Sequence, residues 1–241
     1  MNDFAAESYR ILVVDDSLSI LEIVRSTLAG HGFRVMTAES GEQALEVMAA
    51  EGLPHLGIFD INMPLGMDGL ELCERVLQFS DLPIVMLTAV EESTTIVEAI
   101  DRYAEDYMTK PVKTGELVAR VRRVLRTIGN FAYPLTQFVV ADENLKVNFA
   151  TLTAIVQGEE VGLTPTDTKL LYILMRQKGK IVSADFLLRR LWPTESDFAD
   201  EDRLRVYVHR LRSKIERKKS GMRYVYSKRR KGYVFLPDDV G

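Results

Sequence analysis

The 241-residue chain contains a single cysteine, Cys73, and no long run of apolar residues. One cysteine excludes an internal disulfide framework and a cysteine-rich zinc site. No stretch approaches the roughly 18 apolar residues of a membrane span, and the N-terminal segment MNDFAAESYR lacks the pattern of a secretory signal. We therefore expect a cytoplasmic protein without a membrane partner.

Basic side chains are scarce in the first half of the chain and concentrated in the second. Residues 1–128 carry 21 acidic and 11 basic side chains, whereas residues 129–241 carry 14 acidic and 20 basic ones. The segment from Arg203 to Lys231 alone has 13 Lys and Arg residues and one acid, Glu216. This asymmetry indicates an acidic module joined to a module that binds a polyanion.

Five strand-like runs alternate with helical patterns in the acidic half. They are ILVV (11–14), FRVMTA (33–38), LGIF (56–59), LPIVML (82–87) and AEDYMT (104–109). Strands that alternate with helices form βαβ units, and five of them predict an α/β fold with a doubly wound parallel sheet. Ligands of such sheets bind at the carboxyl ends of the strands, where the strand order reverses.

The basic half has a different order of elements. Short runs between residues 138 and 163 predict an N-terminal antiparallel sheet. Three helices follow: the first is capped by Thr164 and ends at Gly179, the second is capped by Ser183, and the third spans about 202–218. A hairpin with a basic bend closes the chain. Small sheet, three helices and hairpin is the α+β order of a winged helix.

Carboxylates lie at the ends of two predicted strands of the acidic half. Asp15 and Asp16 follow the first strand, and Asp60 follows the third. If these strands are neighbours, the carboxylates converge and repel one another unless a cation lies among them, and Mg²⁺ suits such a site. Thr88 and Lys110 follow the next two strands. A hydroxyl, an ammonium and a divalent cation around a carboxylate are suited to phosphoryl transfer.

The motifs VVDDS, IFDINMP, MLTA and DYMTKP, in this order and spacing, resemble the receiver domain of two-component response regulators. The resemblance implies that Asp60 accepts a phosphoryl group from a sensor histidine kinase. It also implies that Asp15, Asp16 and Asp60 hold Mg²⁺ together with the backbone carbonyl of Asn62.

The same resemblance implies that Thr88 and Lys110 bind the phosphoryl oxygens, and that Tyr107 is a switch aromatic that repacks when Thr88 moves. This chain departs from the family between Pro64 and Asp68, where LGM is one residue longer than usual. Because this loop borders the metal site, we expect an altered magnesium affinity or phosphorylation rate.

The third helix of the basic half, RLRVYVHRLRSKIE, has two distinct faces. A core stripe at helical spacing is formed by Leu204, Val208, Leu211 and Ile215. The opposite face carries Val206, His209, Arg210 and Ser213. An exposed valine among basic residues suits a helix in a major groove, where apolar groups contact thymine methyls and arginine binds guanine.

LTPTDTKLL, this helix and the closing KGYVF resemble the winged-helix output domain of the OmpR/PhoB class. The resemblance implies that Val206 and Arg210 contact bases. The implied contacts to the DNA backbone are made by Arg203, Tyr207, His209 and Arg212, and Arg229 reaches the minor groove. The bend reads RRKGY where the family often has RGxGY, and the loop WPTESDFADED (192–202) matches the segment that contacts RNA polymerase.

Charged residues of both signs lie around the fifth strand and the following helix. They are Asp101, Glu105, Asp106, Arg120, Arg122 and Arg123. In winged-helix response regulators, acids and arginines at these positions pair between two receivers, and a two-fold interface needs such self-complementary charge. The resemblance therefore implies a homodimer on activation.

The combined prediction is a transcription factor rather than an enzyme. We expect a flavodoxin-like receiver over residues 1–127, a linker over 128–137 and a winged-helix domain over 138–241. Phosphorylation of Asp60 would promote dimerisation and binding to repeated half-sites in double-stranded DNA.

Three alternatives accompany this prediction. A regulator of the same architecture that works without phosphorylation is favoured by the longer loop and by Ile96, which replaces a common basic residue. A phosphatase of the haloacid dehalogenase type generally has a second Asp two residues after the first, where this chain has Asn62. A nucleotide-binding Rossmann module would have GxGxxG after the first strand, where DDSLSI stands.

Overall fold

A computed structural model of the chain describes residues 6–64, 66–88, 104–128, 135–193, 201–216 and 222–237. The chain divides into two compact units, Met1–Leu77 with Leu82–Asn130, and Gln78–Asp81 with Phe131–Gly241. Ile96 and Asp101 lie outside the described residues. None of the helices within these ranges combines the length and apolar character needed to cross a membrane.

The first unit contains a five-stranded parallel sheet in the order β2-β1-β3-β4-β5. Its strands are β1 (Arg10–Val14), β2 (Arg34–Ala38), β3 (Leu56–Asp60), β4 (Ile84–Thr88) and β5 (Asp106–Thr109). The helices described between and after them are α1 (Leu18–Gly30), α2 (Gly41–Glu51), α3 (Gly69–Phe79) and α4 (Thr114–Ile128). The predicted doubly wound, flavodoxin-like sheet is confirmed, with strand limits shifted by one or two residues.

The central strands are buried along their whole length. Every residue of β3 and β4 is buried, which is typical of parallel strands covered by helices on both faces. On one face, Val13, Ile58 and Val85 belong to a core that includes the apolar side of α1 and of α4. Asp60 therefore ends an apolar strand and is itself buried.

The second unit begins with a four-stranded antiparallel sheet in the order β6-β7-β8-β9. Its strands are β6 (Val139–Val140), β7 (Leu145–Asn148), β8 (Thr153–Val156) and β9 (Glu159–Gly162). Three helices follow: α5 (Pro165–Arg176), α6 (Ala184–Leu191) and α7 (Glu201–Ile215). The strands β10 (Val225–Lys228) and β11 (Gly232–Phe235) pair as a hairpin, so the predicted order of elements is confirmed.

Side-chain caps start two of these helices, as the sequence predicted. Thr164 and Asp167 form a reciprocal capping box on α5, and the Ser183 hydroxyl accepts the Phe186 N–H at 3.2 Å. The predicted end of α5 at Gly179 was wrong, because the helix stops at Arg176 with Gln177 as its C-cap. Gly179 instead has a φ of +78° and donates its N–H to the Phe235 carbonyl.

Candidate functional site

Three carboxylates converge at the carboxyl edge of the parallel sheet, because β1 and β3 are neighbours there. Asp15, Asp16 and Asp60 each offer a carboxylate oxygen, and these oxygens lie within 4.8 Å of one another. Asp15 and Asp60 are buried, whereas Asp16 is exposed. Lys110 Nζ lies 2.9 Å from Asp15 Oδ2 and 2.9 Å from Asp60 Oδ2. One ammonium group thus bridges the two buried carboxylates.

The single ammonium group of this cluster does not balance the charge of its three carboxylates. Burial raises the pKa of Asp60; the Lys110 ammonium opposes the rise, and the Asp15 carboxylate adds to it. Burial alone would lower the pKa of Lys110, but hydrogen bonds to the two carboxylates outweigh it and raise that pKa. Three carboxylates around one ammonium leave excess negative charge, so the cluster fits a divalent cation that prefers oxygen ligands.

Thr88 ends β4, the strand beside β3, and Lys110 directly follows β5. Thr88 pairs with Thr109 in the register of β4 and β5, and its carbonyl accepts the Lys110 N–H at 2.8 Å. The Thr88 side chain is buried. Tyr107 lies on β5 opposite Met86, and its side chain is 51% exposed. The structure therefore places Thr88 and the Lys110 ammonium at the carboxyl edge of the sheet, and it leaves the Tyr107 side chain half-exposed.

Sequence reasoning missed a close contact behind Asp60. A Cβ at Gly69 would lie 1.9 Å from the Asp60 carbonyl oxygen, so only glycine fits at the start of α3. The Gly69 N–H donates to the Ile61 carbonyl at 3.2 Å. The Asp-Gly pair at 68–69 is visible in the sequence. Its approach to Asp60 depends on the path of the loop between β3 and α3, which the sequence does not show.

Most of the charged residues predicted at a dimer face are described, and several pair within the chain. The Arg120 guanidinium donates to both Asp106 oxygens, at 2.9 and 3.0 Å, and Arg123 lies 2.7 Å from Asp106 Oδ2. Arg122 is half-buried and Glu105 is exposed. Asp101, the remaining member of this set, lies outside the described residues.

Helix α7 presents the two faces that its periodicity predicts. The four apolar residues of its core stripe are buried. On the other face Val206 is 62% exposed, and His209 and Arg210 are exposed as well. Arg229 is exposed in the turn of the β10–β11 hairpin. An apolar side chain is therefore presented to solvent between basic ones, which is compatible with a helix that lies in a major groove.

Other residues predicted to contact the DNA backbone also have partners within the domain. Arg212 donates to the Val225 carbonyl at 2.9 Å and to the Ser227 hydroxyl at 3.0 Å, which ties α7 to β10. The Arg203 guanidinium lies 4.3 Å from the centre of the Trp192 ring, and the Tyr207 ring packs edge-on against it. Most of the predicted polymerase-contacting loop, residues 194–200, lies outside the described residues.

Two family models match this chain. The response regulator receiver domain matches residues 11–122, and the C-terminal domain of transcriptional regulatory proteins matches residues 158–235. The DNA-binding response regulator MtrA of Mycobacterium tuberculosis (strain ATCC 25618 / H37Rv) is 37% identical over 228 residues, which are 95% of this chain and 97% of MtrA. The chain belongs to the DNA-binding response regulators.

This response regulator combines a receiver domain with an OmpR/PhoB-type DNA-binding domain, as the motifs predicted. The transcriptional regulatory protein KdpE of the same strain is 34% identical over 229 residues, with coverage of 93% of this chain and 98% of KdpE. Proteins with these two domains have a histidine kinase and DNA as partners. Among solved structures, the chain is similar to the response regulator DrrB of Thermotoga maritima, which is described as an OmpR/PhoB homolog. The two are 25% identical, with a TM-score of 0.43, and the match covers 95% of this chain and 99% of the DrrB chain.

Proposed function

We propose that a sensor histidine kinase transfers a phosphoryl group to Asp60. The observation that carries this proposal is the placement of Lys110 Nζ 2.9 Å from a buried Asp60 oxygen, at the edge where Thr88 also ends a strand. An Asp60 oxygen would attack the phosphorus of the kinase phosphohistidine. A P–O bond forms as the P–N bond breaks, and the imidazole leaves with that electron pair and takes up a proton. Thr88 and Lys110 would donate hydrogen bonds to the transferred phosphoryl oxygens.

Mg²⁺ is the cofactor proposed for the carboxylate cluster. The carboxylates of Asp15, Asp16 and Asp60 would hold it with the backbone carbonyl of Asn62, and their spacing within 4.8 Å supports this set. When bound, Mg²⁺ supplies positive charge to the phosphoryl oxygens. Lys110 supplies the other positive charge and keeps the two buried carboxylates from repelling each other.

The proposed output is DNA binding by a homodimer in the cytoplasm. Residues 1–127 would form the receiver, 128–137 the linker and 138–241 the DNA-binding domain, which agrees with the matches to 11–122 and 158–235. Tyr107 would repack when Thr88 moves and change the charged face around β5 and α4. Two α7 helices would then bind repeated half-sites of double-stranded DNA, and the loop at 192–202 would contact RNA polymerase.

The Asp60→Asn variant tests the phosphoacceptor assignment. We expect it to abolish incorporation of phosphate from acetyl phosphate with Mg²⁺, because an amide is a far weaker nucleophile than a carboxylate; intact-protein mass spectrometry measures the incorporation. Asp68→Asn is the matched control: it changes the same residue type at the end of the loop that follows Asp60, and its side-chain oxygen can still accept the Glu71 N–H in the first turn of α3. Full labelling of Asp60→Asn would contradict the assignment.

The second candidate function is DNA-binding regulation without phosphorylation, by the same architecture. The observation that favours it is the longer loop after Pro64, which borders the proposed metal site. This candidate predicts equal DNA affinity with and without a phosphoryl mimic.

A further inference from the structure

The loop between β3 and α3 is anchored to the first turn of α2. Glu42 Oε1 accepts the Met67 N–H at 2.9 Å. The Met67 side chain is buried against Gly41, where a Cβ would lie 2.8 Å from Met67 Cβ. Gly66 has a left-handed φ of +89°, and a Cβ there would lie 2.9 Å from a Glu42 oxygen. The Glu42 carboxylate thus holds Met67 against α2, and the absence of a side chain at Gly41 and Gly66 permits this close approach.

This anchor connects directly to the backbone around Asp60. Met67 precedes Gly69 by two residues, and Gly69 is pressed against the Asp60 carbonyl and hydrogen-bonded to Ile61. A shift of Met67 away from α2 would therefore displace the start of α3 against the Asp60–Asn62 backbone. That backbone carries the proposed phosphoacceptor and the carbonyl proposed as a metal ligand.

We infer that Glu42 is a positioning residue for phosphoryl transfer, which it serves by holding Met67 and so the backbone from Asp60 to Asn62. The inference rests on the proposed function of Asp60. Glu42 matters in this chain because the loop has an extra residue, whose added freedom must be removed for the metal-binding carbonyl to keep one position. Its backbone hydrogen bonds, including the one from Met67, lower the pKa of Glu42, so it accepts as a carboxylate at neutral pH.

Two substitutions separate the hydrogen bond from the charge. Glu42→Gln removes the charge but retains an oxygen that can accept the Met67 N–H. Glu42→Asp retains the charge but is one methylene too short to reach it. Glu42→Ala removes both, and Glu46→Ala is the matched control, because Glu46 is an exposed acid one turn later on α2.

We expect Glu42→Ala and Glu42→Asp to lower the initial rate of phosphorylation by acetyl phosphate by about 3- to 10-fold, the usual effect of one hydrogen bond. Mg²⁺ affinity, measured by calorimetric titration of the unphosphorylated protein, should fall by a similar factor. Glu42→Gln and Glu46→Ala should stay within about twofold of the wild type. Far-UV circular dichroism establishes that each titrated variant is folded.

Two outcomes would overturn the inference. Equal losses in Glu42→Gln and Glu42→Ala would show that the charge acts through its field and that the hydrogen bond is irrelevant. Unchanged rate and Mg²⁺ affinity in both Glu42→Ala and Glu42→Asp would show that Met67 needs no anchor. Failure of the proposed function gives a different result: the wild type would not be labelled, or Asp60→Asn would be labelled as well as the wild type. The Mg²⁺ titration would still test the role of Glu42 in that case.

Discussion

Arg230 occupies a backbone conformation that normally favours glycine. It lies in the turn of the β10–β11 hairpin with a φ of +58°, at the position where the family's RGxGY often has its first glycine. A left-handed conformation costs a non-glycine residue about 1 kcal/mol. The side chain is exposed. Its cation is therefore available to DNA phosphates, which offers a reason for an arginine in a strained position.

Replacement of this residue should separate stability from DNA binding. We expect Arg230→Gly to stabilise the DNA-binding domain by about 1 kcal/mol in urea unfolding, because the strain is relieved. It should also weaken DNA binding and reduce the slope of log affinity against log salt by about 0.9, the value for one phosphate contact. Arg230→Lys is the control, because it keeps both the charge and the strain. An unchanged salt slope in Arg230→Gly would exclude the phosphate contact.

At the scale of elements, Asp167 joins α5 to α7. Its carboxylate is fully buried; Oδ2 accepts from Lys214 Nζ at 2.7 Å and from the Thr164 N–H at 3.1 Å. Burial alone would raise the pKa of Asp167, but the hydrogen bonds from Lys214 and Thr164 outweigh it and lower that pKa. The same oxygen thus completes the capping box of α5 and fixes the helix proposed to bind DNA.

Asp167→Ala should therefore destabilise the DNA-binding domain by about 2 kcal/mol at pH 7, the contribution of a charged buried hydrogen bond. A lowered folded-state pKa stabilises the fold above the ordinary aspartate pKa of about 3.9. The difference from wild type should therefore be constant from pH 7 to about 5 and shrink as the pH falls further. Urea unfolding at several pH values measures it.

Asp185→Ala provides the comparison for Asp167→Ala. Asp185 also lies in the first turn of a helix and pairs with an arginine, Arg189, but both side chains are largely exposed. We expect a much smaller cost than for Asp167→Ala, because solvent screens a surface pair. Equal costs for the two substitutions would show that burial of Asp167 is not what makes its contacts strong.

At the scale of the whole molecule, the proposed activation by dimerisation would require the charged face of the receiver to change partners. In the single chain Arg120 and Arg123 are paired with Asp106. A symmetric dimer of the proposed kind would exchange such pairs for pairs between two chains, so the charges balance in both states. The net free energy of dimerisation from these pairs would then be small. Phosphorylation would shift the equilibrium between monomer and dimer by the difference in its effect on the two states.

Beryllofluoride with Mg²⁺, a phosphoryl mimic, should convert the protein from monomer to dimer in sedimentation and tighten its binding to DNA. Arg123→Ala should weaken this dimer by about 10-fold, because each pair occurs twice in a two-fold interface and the substitution removes both copies. Arg126→Ala, another exposed arginine of α4, is the matched control and should have little effect. DNA affinity that ignores beryllofluoride would favour the phosphorylation-independent regulator.

The sequence by itself determined the element order and the residue types of both sites. Parallel strands buried on both faces read as apolar runs, and the helix α7 shows its core stripe by spacing alone. Asp15, Asp16, Asp60, Thr88 and Lys110 could be predicted to meet because each follows a strand, and strand ends converge in a doubly wound sheet.

Only the tertiary structure decided which groups touch. Three contacts join residues that are far apart in the chain or on separate elements: Gly69 with Asp60, Met67 with Glu42, and Lys214 with Asp167. Local periodicity carries no signal for such pairs, because the partner is set by how helices pack and where loops return. The sequence thus determined the chemistry of the site, and packing decided the geometry in which that chemistry is held.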